Sequence, residues 1–328
     1  MMSIITIVVP VYHNAASLPD LLARLQALSD RNSQYSFEYI FVNDGSKDNS
    51  FEVLTLLRVA EPRMQIISLS RNFGSNPALM AGLSEAHGDA VAAISADLQD
   101  PPEMLDEMIR AWSEGHKVVL AARRERDDPG VETWLADTFY RLFRRFAIKT
   151  MPNRGFDFFL IDRQVCQVIN SIPEQNPYLM GLILWVGFDA HTVYYDRQRR
   201  EARYGRSMWT LGKKLKYFAD AFVAFSYAPV RFASLLGFLV SVIGLFYAGI
   251  VLLLRLFGGV ELEGWTSLMI VLLFVSGTQM LMLGILGEYI WRSLDETRKR
   301  PPFIVETKTD SMYSDNASEA KEMAGVRD

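Results

Sequence analysis

Up to about residue 200, short apolar runs alternate with segments whose apolar residues recur at helical spacing. The apolar runs predict buried strands at Ile4 to Pro10, Glu38 to Val42, Gln65 to Leu69, Ala90 to Ile94 and Lys117 to Ala121. The segments between them predict helices at Leu18 to Leu28, Ser50 to Val59, Pro77 to Ala86 and Glu103 to Trp112. This alternation predicts an α/β domain with a mainly parallel sheet covered on both faces. Ligands of such sheets bind beyond the carboxyl ends of the strands, so polar residues that follow strands are the candidates for chemistry.

After residue 230 the pattern changes to long apolar segments. Residues 232–254 and 265–287 each contain no charged residue. As helices, segments of this length extend roughly 34 Å, enough to cross a hydrocarbon core of about 30 Å. A pair of buried helices in a soluble protein is the alternative, but two such segments separated by ten residues favour a transmembrane hairpin.

Flanking charge predicts the orientation of this hairpin. Lysines and arginines precede the first span and follow the second, whereas the connector has Arg255 only at its edge. The positive-inside rule then places both chain termini in the cytoplasm. The expected organisation is a cytoplasmic α/β domain over residues 1–200, an interfacial amphipathic region over 201–230, the hairpin over 231–292, and a largely disordered cytoplasmic tail over 293–328.

Composition excludes several classes of protein. Half of the residues are hydrophobic, which rules out a disordered chain. The 34 Lys and Arg against 38 Asp and Glu give a net charge of −4, which is not the basic footprint of a nucleic-acid binder. The single cysteine, Cys166, excludes an intramolecular disulfide and a zinc site built from several cysteines.

Two carboxylates directly follow predicted strands. Asp44 follows the second strand and precedes a glycine, while Asp97 follows the fourth strand with Gln99 and Asp100 close by. Plain turn chemistry explains either aspartate alone. Because both lie at the same edge of the predicted sheet, a second interpretation assigns one acid to a nucleoside and the other to a divalent cation on a diphosphate.

Five motifs in order give the sequence a specific resemblance. They are Val8-Val9-Pro10-Val11-Tyr12, Val42-Asn43-Asp44-Gly45-Ser46, Ser70-Arg71-Asn72-Phe73-Gly74, Ala96-Asp97-Leu98-Gln99-Asp100-Pro101-Pro102, and Arg203-Tyr204-Gly205-Arg206-Ser207. In this order they resemble the inverting GT-A glycosyltransferases of family 2. Within that family the chain is most similar to the polyprenyl-phosphate glycosyltransferases, and Gly287-Glu288-Tyr289 with the hairpin extends the likeness to about residue 305.

The resemblance implies roles for individual residues. It implies a nucleotide-sugar site formed by Pro10, Tyr12, Asp44, Asn72 and Asp97. It implies that Asp97 and Gln99 hold Mg²⁺ or Mn²⁺, and that Asp97 and Asp157 are the catalytic acids. In isolation, Asp157 is better explained as a surface residue on a strand edge or as a turn residue. A lipid phosphate is largely ionised at neutral pH, so Asp157 is expected to position substrate, with base catalysis as the weaker alternative.

The sequence departs from the family pattern in two motifs. His13-Asn14 stands where the family often has Asn-Glu, and Ser95 stands where the metal motif commonly has its first acid. The Gln-x-x-Arg-Trp signature of processive synthases is absent from the sequence, which favours transfer of one sugar to each acceptor.

Two basic amphipathic stretches complete the candidates. Trp134 to Ile148 and Arg197 to Tyr227 mix arginines with aromatic residues. In a soluble protein both would be core helices with a solvated basic face. Next to a membrane hairpin the same pattern favours helices that lie on membrane lipids. The planar donor fork of arginine also suits phosphate, so Arg200 and Arg203, with the Ser207 hydroxyl, are the expected acceptor-phosphate site.

Together these features predict an enzyme of the bacterial inner membrane with a cytoplasmic catalytic domain. The expected reaction transfers one hexose, glucose from UDP-glucose by resemblance, to polyprenyl (undecaprenyl) phosphate, with inversion and release of UDP. Alternatives are another donor sugar (mannose, a modified arabinose or an N-acetylhexosamine), a processive synthase, and a non-catalytic nucleotide-sugar-binding scaffold. Small residues in the spans, which allow close helix packing, favour a homo-oligomer.

Overall fold

The computed structural model describes residues 2–124, 131–153, 155–156, 158–174, 178–196, 225–226, 228–257 and 264–313. Four predicted site residues lie outside these ranges: Asp157, Arg200, Arg203 and Ser207. The second basic amphipathic stretch, Arg197 to Tyr227, also lies outside them except for residues 225–226. The chain divides into two compact units, with divisions after residue 218 and after residue 300. Residues 219–300 form the second unit, and the C-terminal residues that follow belong to the first.

All nine elements predicted for the first 121 residues are present. The strands are β1 (Ile4–Val11), β2 (Ser36–Asn43), β3 (Met64–Leu69), β4 (Ala90–Ala93) and β5 (Val118–Arg123). The helices are α1 (Leu18–Arg31), α2 (Ser50–Ala60), α3 (Ser75–Glu85) and α4 (Met104–Ser113). Their spacing explains the packing, because α1 buries Leu18, Leu21, Leu22, Leu25 and Leu28 on one face.

In the described part of the chain, five further elements of the first unit precede the membrane-length helices. They are α5 (Val131–Phe146), β6 (Phe158–Asp162), α6 (Arg163–Ser171), α7 (Leu179–Trp185) and β7 (Ala190–Tyr195). The first basic amphipathic stretch is α5. It is anchored by the buried Phe143, whose ring contacts Tyr178, while Leu142 and Phe146 are exposed beside arginines. This exposed mixture of apolar and cationic side chains is typical of a helix that lies on a membrane surface.

The strands form one sheet in the order β7-β5-β6-β4-β1-β2-β3-β8, in which β8 (Val305–Lys308) is a C-terminal strand. The central strands β4, β1, β2 and β3 are parallel, as are β5 and β7, whereas β6 and β8 run antiparallel to their neighbours. Apolar side chains of β1 and β2 are buried almost throughout, because helices cover both faces. The predicted mainly parallel α/β sheet is confirmed.

The second unit contains two long apolar helices, α8 (Ala228–Leu256) and α9 (Trp265–Arg298). Both are long and apolar enough to cross a membrane, and their large apolar side chains are exposed, as is typical of helices surrounded by lipid. Gly237 of α8 lies against Met282 in the middle of α9, and Tyr289 further along α9 contacts Ser226 just before α8, so the helices are antiparallel. The Tyr289 hydroxyl donates to the Ser226 carbonyl at 2.9 Å and adds a polar contact to this hairpin.

The expectation of a largely disordered tail from residue 293 is wrong for residues 293–313. Helix α9 continues to Arg298, and residues 304–313, hereafter the C-terminal strap, bind the sheet edge at β3. Thr309 exchanges backbone and hydroxyl hydrogen bonds with Ile66 at 2.9 Å, and the Ser311 hydroxyl donates to the buried Glu38 at 2.8 Å. The strap is polar in composition, but its backbone pairing with β3 and its contact with a buried acid order it. Residues 314–328 lie outside the described part of the chain.

Candidate active site at the carboxyl edge of the sheet

The register of the parallel strands brings three loops to one edge of the sheet. Val11 is level with Asn43, and Asn43 is level with Ser68, so β1, β2 and β3 end together. The backbone N–H of Asp44 donates to the Val11 carbonyl at 2.9 Å, and the Asn43 amide donates to the Ser68 hydroxyl at 3.0 Å. These bonds fix where the loops leave the sheet.

Asp44 joins the loop after β2 to the loop after β3. Its carboxylate is buried and accepts the backbone N–H of Phe73 at 2.7 Å on one oxygen and that of Gly74 at 2.9 Å on the other. Burial raises the pKa of Asp44, and the two backbone donors oppose that rise. Gly45, at φ +61°, lies so close to the Arg71 backbone that a Cβ there would meet it at 2.4 Å, so the two loops pack tightly only with glycine at this position.

The loop after β1 contains His13-Asn14, where the family that the sequence resembles often has Asn-Glu. His13 adopts φ +56°, stacks on Tyr12 with ring centroids 4.3 Å apart, and donates its backbone N–H to the Ser46 hydroxyl at 3.2 Å. Its Nε2 accepts the backbone N–H of Lys47 at 3.2 Å. His13 therefore ties the β1 loop to the β2 loop, a role that no local sequence pattern predicts.

Pro10, Tyr12, Asp44 and Asn72 all lie at this edge of the sheet. Pro10 is half-buried near the end of β1, and Asn72 is exposed in the loop after β3. The Arg71 guanidinium next to it lies over the Phe73 ring, 4.0 Å from its centroid. The edge thus offers a stacked aromatic pair, an exposed amide and a buried carboxylate within adjacent loops.

Asp97 lies in the loop after β4, the neighbour of β1 on its other side. Its Oδ1 atom accepts the Ser95 hydroxyl at 2.9 Å and the backbone N–H of Gln99 at 3.2 Å. Leu98 has φ +58°, and the Ser17 hydroxyl at the start of α1 donates to the Ala96 carbonyl at 2.6 Å. This loop is therefore held in a sharp turn against α1 with the aspartate in a fixed orientation.

The oxygen donors present suit a cation that arrives with a diphosphate. The described residues contain no group of three or more His, Cys, Asp or Glu side chains placed to hold a metal ion. Within the same part of the chain, the second oxygen of Asp97, Oδ2, has no hydrogen-bond partner. Mg²⁺ commonly takes one or two protein carboxylates and completes its shell with water and substrate phosphates. One half-buried carboxylate with the Gln99 side chain nearby in sequence fits that pattern.

Two residues at the edge were not assigned a role from the sequence. Asp100 is buried and contacts the Ser95 hydroxyl at 2.9 Å, and the Tyr195 hydroxyl donates to it at 2.6 Å. Tyr195 ends β7, nearly a hundred residues further along the chain, so no local pattern connects it to this loop. The Ser95 substitution was the one signal in the sequence that this loop differs from the usual motif.

Comparison with known proteins gives consistent results along the chain. Residues 6–169 match the model of Glycosyl transferase family 2. The chain is 42% identical over 302 residues to the Uncharacterized glycosyltransferase YkcC of Bacillus subtilis (strain 168), covering 92% of this chain and 93% of the relative. It is 34% identical over 306 residues to the Prophage bactoprenol glucosyl transferase homolog of Escherichia coli (strain K12), covering 92% and 98%, respectively.

A solved structure gives the same fold. Glucosyl-3-phosphoglycerate synthase from Mycobacterium tuberculosis, in complex with UDP, superposes with a TM-score of 0.51 over 67% of this chain and 79% of that chain. The sequence identity is 18%, so this likeness supports the fold alone. Together with the family match and the high coverage of relatives more than 30% identical, these results show that the chain belongs to Glycosyl transferase family 2 and is a glycosyltransferase.

Proposed function

We propose that the protein transfers a single glucose from UDP-glucose to the phosphate of undecaprenyl phosphate at the cytoplasmic face of the bacterial inner membrane. The observation that carries this proposal is the pairing, in one chain, of a family 2 sheet edge bearing Asp44 and Asp97 with two membrane-length helices. A soluble acceptor would not require the helices. Relatives named bactoprenol glucosyl transferase, 34% identical over more than nine-tenths of this chain, support the lipid acceptor and the sugar.

The nucleoside end of the donor is assigned to the loops after β1, β2 and β3. Both oxygens of Asp44 already accept a backbone N–H, and each carboxylate oxygen has a further lone pair for a base N–H or a ribose hydroxyl. The Tyr12 ring and the exposed Asn72 amide supply stacking and hydrogen bonding beside it. Pro10 shapes the strand end next to Val42, and its backbone nitrogen has no N–H that needs an acceptor.

The diphosphate is assigned to the loop after β4. Asp97, with Gln99, would hold Mg²⁺ or Mn²⁺ there, and the bound cation supplies positive charge against the charge that develops on UDP as it leaves. Ser95 and the Gln99 backbone orient Asp97 for this task through Oδ1. A solved structure of glucosyl-3-phosphoglycerate synthase with Mn²⁺ and UDP, at a TM-score of 0.50, supports the choice of a divalent ion.

In this proposal an oxygen of the acceptor phosphate is the nucleophile, and it needs no strong base to activate it. Its second pKa lies near 6, so an ionised oxygen is available at neutral pH to attack the anomeric carbon in line. In-line attack forms the new C–O bond as the bond to UDP breaks, and the anomeric configuration inverts. Asp157 then serves to position sugar and acceptor, and Arg200, Arg203 and Ser207 meet the phosphate charge near the headgroup layer, since burying that charge in hydrocarbon is too costly.

The hairpin of α8 and α9 anchors the enzyme with both termini in the cytoplasm in this proposal. The uneven distribution of Lys and Arg around the two apolar segments supports this orientation. The exposed Leu142 and Phe146 of α5, interspersed with arginines, support contact with the lipid surface.

The release of UDP tests this function directly. Purified full-length protein is supplied with a panel of UDP- and GDP-sugars, each with undecaprenyl phosphate or with the matched polyprenol lacking phosphate. We expect UDP release from UDP-glucose only with the phosphorylated lipid. Equal release with both lipids would indicate hydrolysis, and preference for another donor would replace glucose while leaving the reaction class intact.

A further inference from the structure

Ser95 lies between two carboxylates that compete for its single proton. Its Oγ atom is 2.9 Å from Asp97 Oδ1 and 2.9 Å from Asp100 Oδ2. A hydroxyl has one O–H to donate, and ionised carboxylates are acceptors only. The Ser95 hydroxyl therefore donates a hydrogen bond to only one of the two carboxylates at a time, and the other carboxylate receives none from it.

Asp100 is held in place from the opposite side. The side chain is buried, and the hydroxyl of Tyr195, itself buried at the end of β7, donates to its Oδ1 atom at 2.6 Å. The Tyr195 ring packs edge-on against Phe158 of β6 with centroids 5.4 Å apart, which fixes the direction of that hydroxyl. Asp100 thus presents a fixed negative charge to Ser95 from within the protein.

A cation on Asp97 would remove the competition. Once a positive charge stabilises the Asp97 carboxylate, the Ser95 proton is available to Asp100 by rotation of the hydroxyl, with no proton lost or gained. The buried charge of Asp100 also lies one hydroxyl away from Asp97, where charge attracts a cation strongly in a partly desolvated site. Asp100 thus supplies the negative charge that the first acid of the motif usually provides, since Ser95 occupies the position of that acid.

We propose that Ser95, Asp100 and Tyr195 are positioning residues for the diphosphate-bound cation. Ser95 orients Asp97 before the cation arrives, and Asp100 acts through Ser95 as the second negative charge of the site once the cation is bound. The proposal rests on the function proposed above. It differs from a purely structural role because it predicts an effect on cation affinity that is separate from nucleotide affinity and from folding.

The test measures the dissociation constant of Mn²⁺ by electron paramagnetic resonance on the full-length protein in detergent with saturating UDP. Ser95→Ala and Tyr195→Phe should each weaken Mn²⁺ binding about three- to tenfold, the effect of one lost hydrogen bond. The affinity for UDP in EDTA should stay within about twofold. The matched control is Tyr39→Phe, which removes a buried tyrosine hydroxyl that donates to the Leu25 carbonyl at 3.2 Å, away from this loop.

A second variant restores the acid that the motif usually has. Ser95→Asp places a third carboxylate in the loop, so it should lower the Tm without metal, and Mn²⁺ with UDP should raise the Tm more than in the wild type. Mn²⁺ affinities of Ser95→Ala and Tyr195→Phe equal to that of Tyr39→Phe would overturn the positioning network alone. A wild type that binds UDP but no Mn²⁺ or Mg²⁺ would instead overturn the cation in the proposed function, and the network with it.

Discussion

Replacement of Asp44 by asparagine tests how the nucleotide-binding edge is assembled. The two carboxylate oxygens accept two backbone donors, Phe73 N–H at 2.7 Å and Gly74 N–H at 2.9 Å. Asparagine has one acceptor oxygen, so its amide group would face the second N–H donor to donor. Losing one charge-assisted hydrogen bond costs about 1.5–3 kcal/mol, which corresponds to roughly a ten- to hundredfold loss of UDP affinity if the loop must re-form on binding.

Stability should respond much less than binding, and with a defined pH dependence. Burial raises the pKa of Asp44, so its ionised form costs stability above that pKa, and the cost disappears as the pH falls through it. Asp44→Asn removes this cost while losing one bond, and the two effects oppose each other in the Tm at neutral pH. As the pH is lowered, the wild type should gain stability relative to the variant.

The assay is calorimetric titration of UDP into the wild type, Asp44→Asn and the control Asp48→Asn. Asp48 follows β2 a few residues later and accepts the Ser50 N–H at 3.2 Å through one oxygen, which asparagine can replace. The control should bind UDP as the wild type does. Wild-type UDP affinity in Asp44→Asn would refute the role assigned to this carboxylate.

Three further predictions concern other parts of the chain. Burial raises the pKa of Glu38, but hydrogen bonds from His87, Thr6 and Ser311 outweigh it, so the pKa is lowered overall. The ionised Glu38 therefore stabilises the fold above its unfolded pKa, and this stabilisation is lost as the pH falls through its folded pKa. Glu38→Gln should cost about 1–3 kcal/mol in denaturant melts at neutral pH and should flatten the fall in stability at acid pH, whereas an unchanged fall would contradict this. Glu263 lies in the connector between the two apolar segments, which the positive-inside rule places outside the cytoplasm. Glu263→Cys should therefore react with an impermeant thiol reagent in cells whose outer barrier is opened, and labelling only after lysis would contradict this topology. Arg203→Ala should raise the KM for undecaprenyl phosphate about ten- to hundredfold and leave UDP affinity unchanged, whereas full activity in detergent without anionic lipid would leave Arg203 only a surface-attraction role.

The sequence predicted the sheet and the positions of Asp44 and Asp97 at its edge well, because both depend on local patterns. Buried strands are short apolar runs, and the residues that follow them must share an edge once the strands are parallel. For this reason Asp44 and Asp97 were found on opposite sides of β1. The predicted helix ends were less exact. Helix α9 continues to Arg298 through charged turns that lie beyond the apolar segment predicted as the span.

Features that depend on distant pairing were not predictable in this way. The C-terminal strap is polar and resembles a mobile tail, yet its order comes from β3 and from Glu38, which lie more than 200 residues earlier. Likewise, the contact of Tyr195 with Asp100 joins β7 to the β4 loop across the sheet order. The clearest sign of such a distant contact in the sequence is an acid within an apolar strand, as Glu38 is in β2. A buried charge there requires polar partners from elsewhere in the chain.

The mass of the lipid product tests the central claim most directly. Purified wild-type protein and Asp97→Asn are incubated with UDP-glucose, Mg²⁺ and undecaprenyl phosphate, and the extracted lipid is weighed by mass spectrometry. We predict that the wild type converts the lipid to a species heavier by one hexose and no more, even with excess donor, and that Asp97→Asn forms little of it while remaining folded. Unmodified lipid with the wild type, or a ladder of several hexoses, would contradict single transfer to a polyprenyl phosphate.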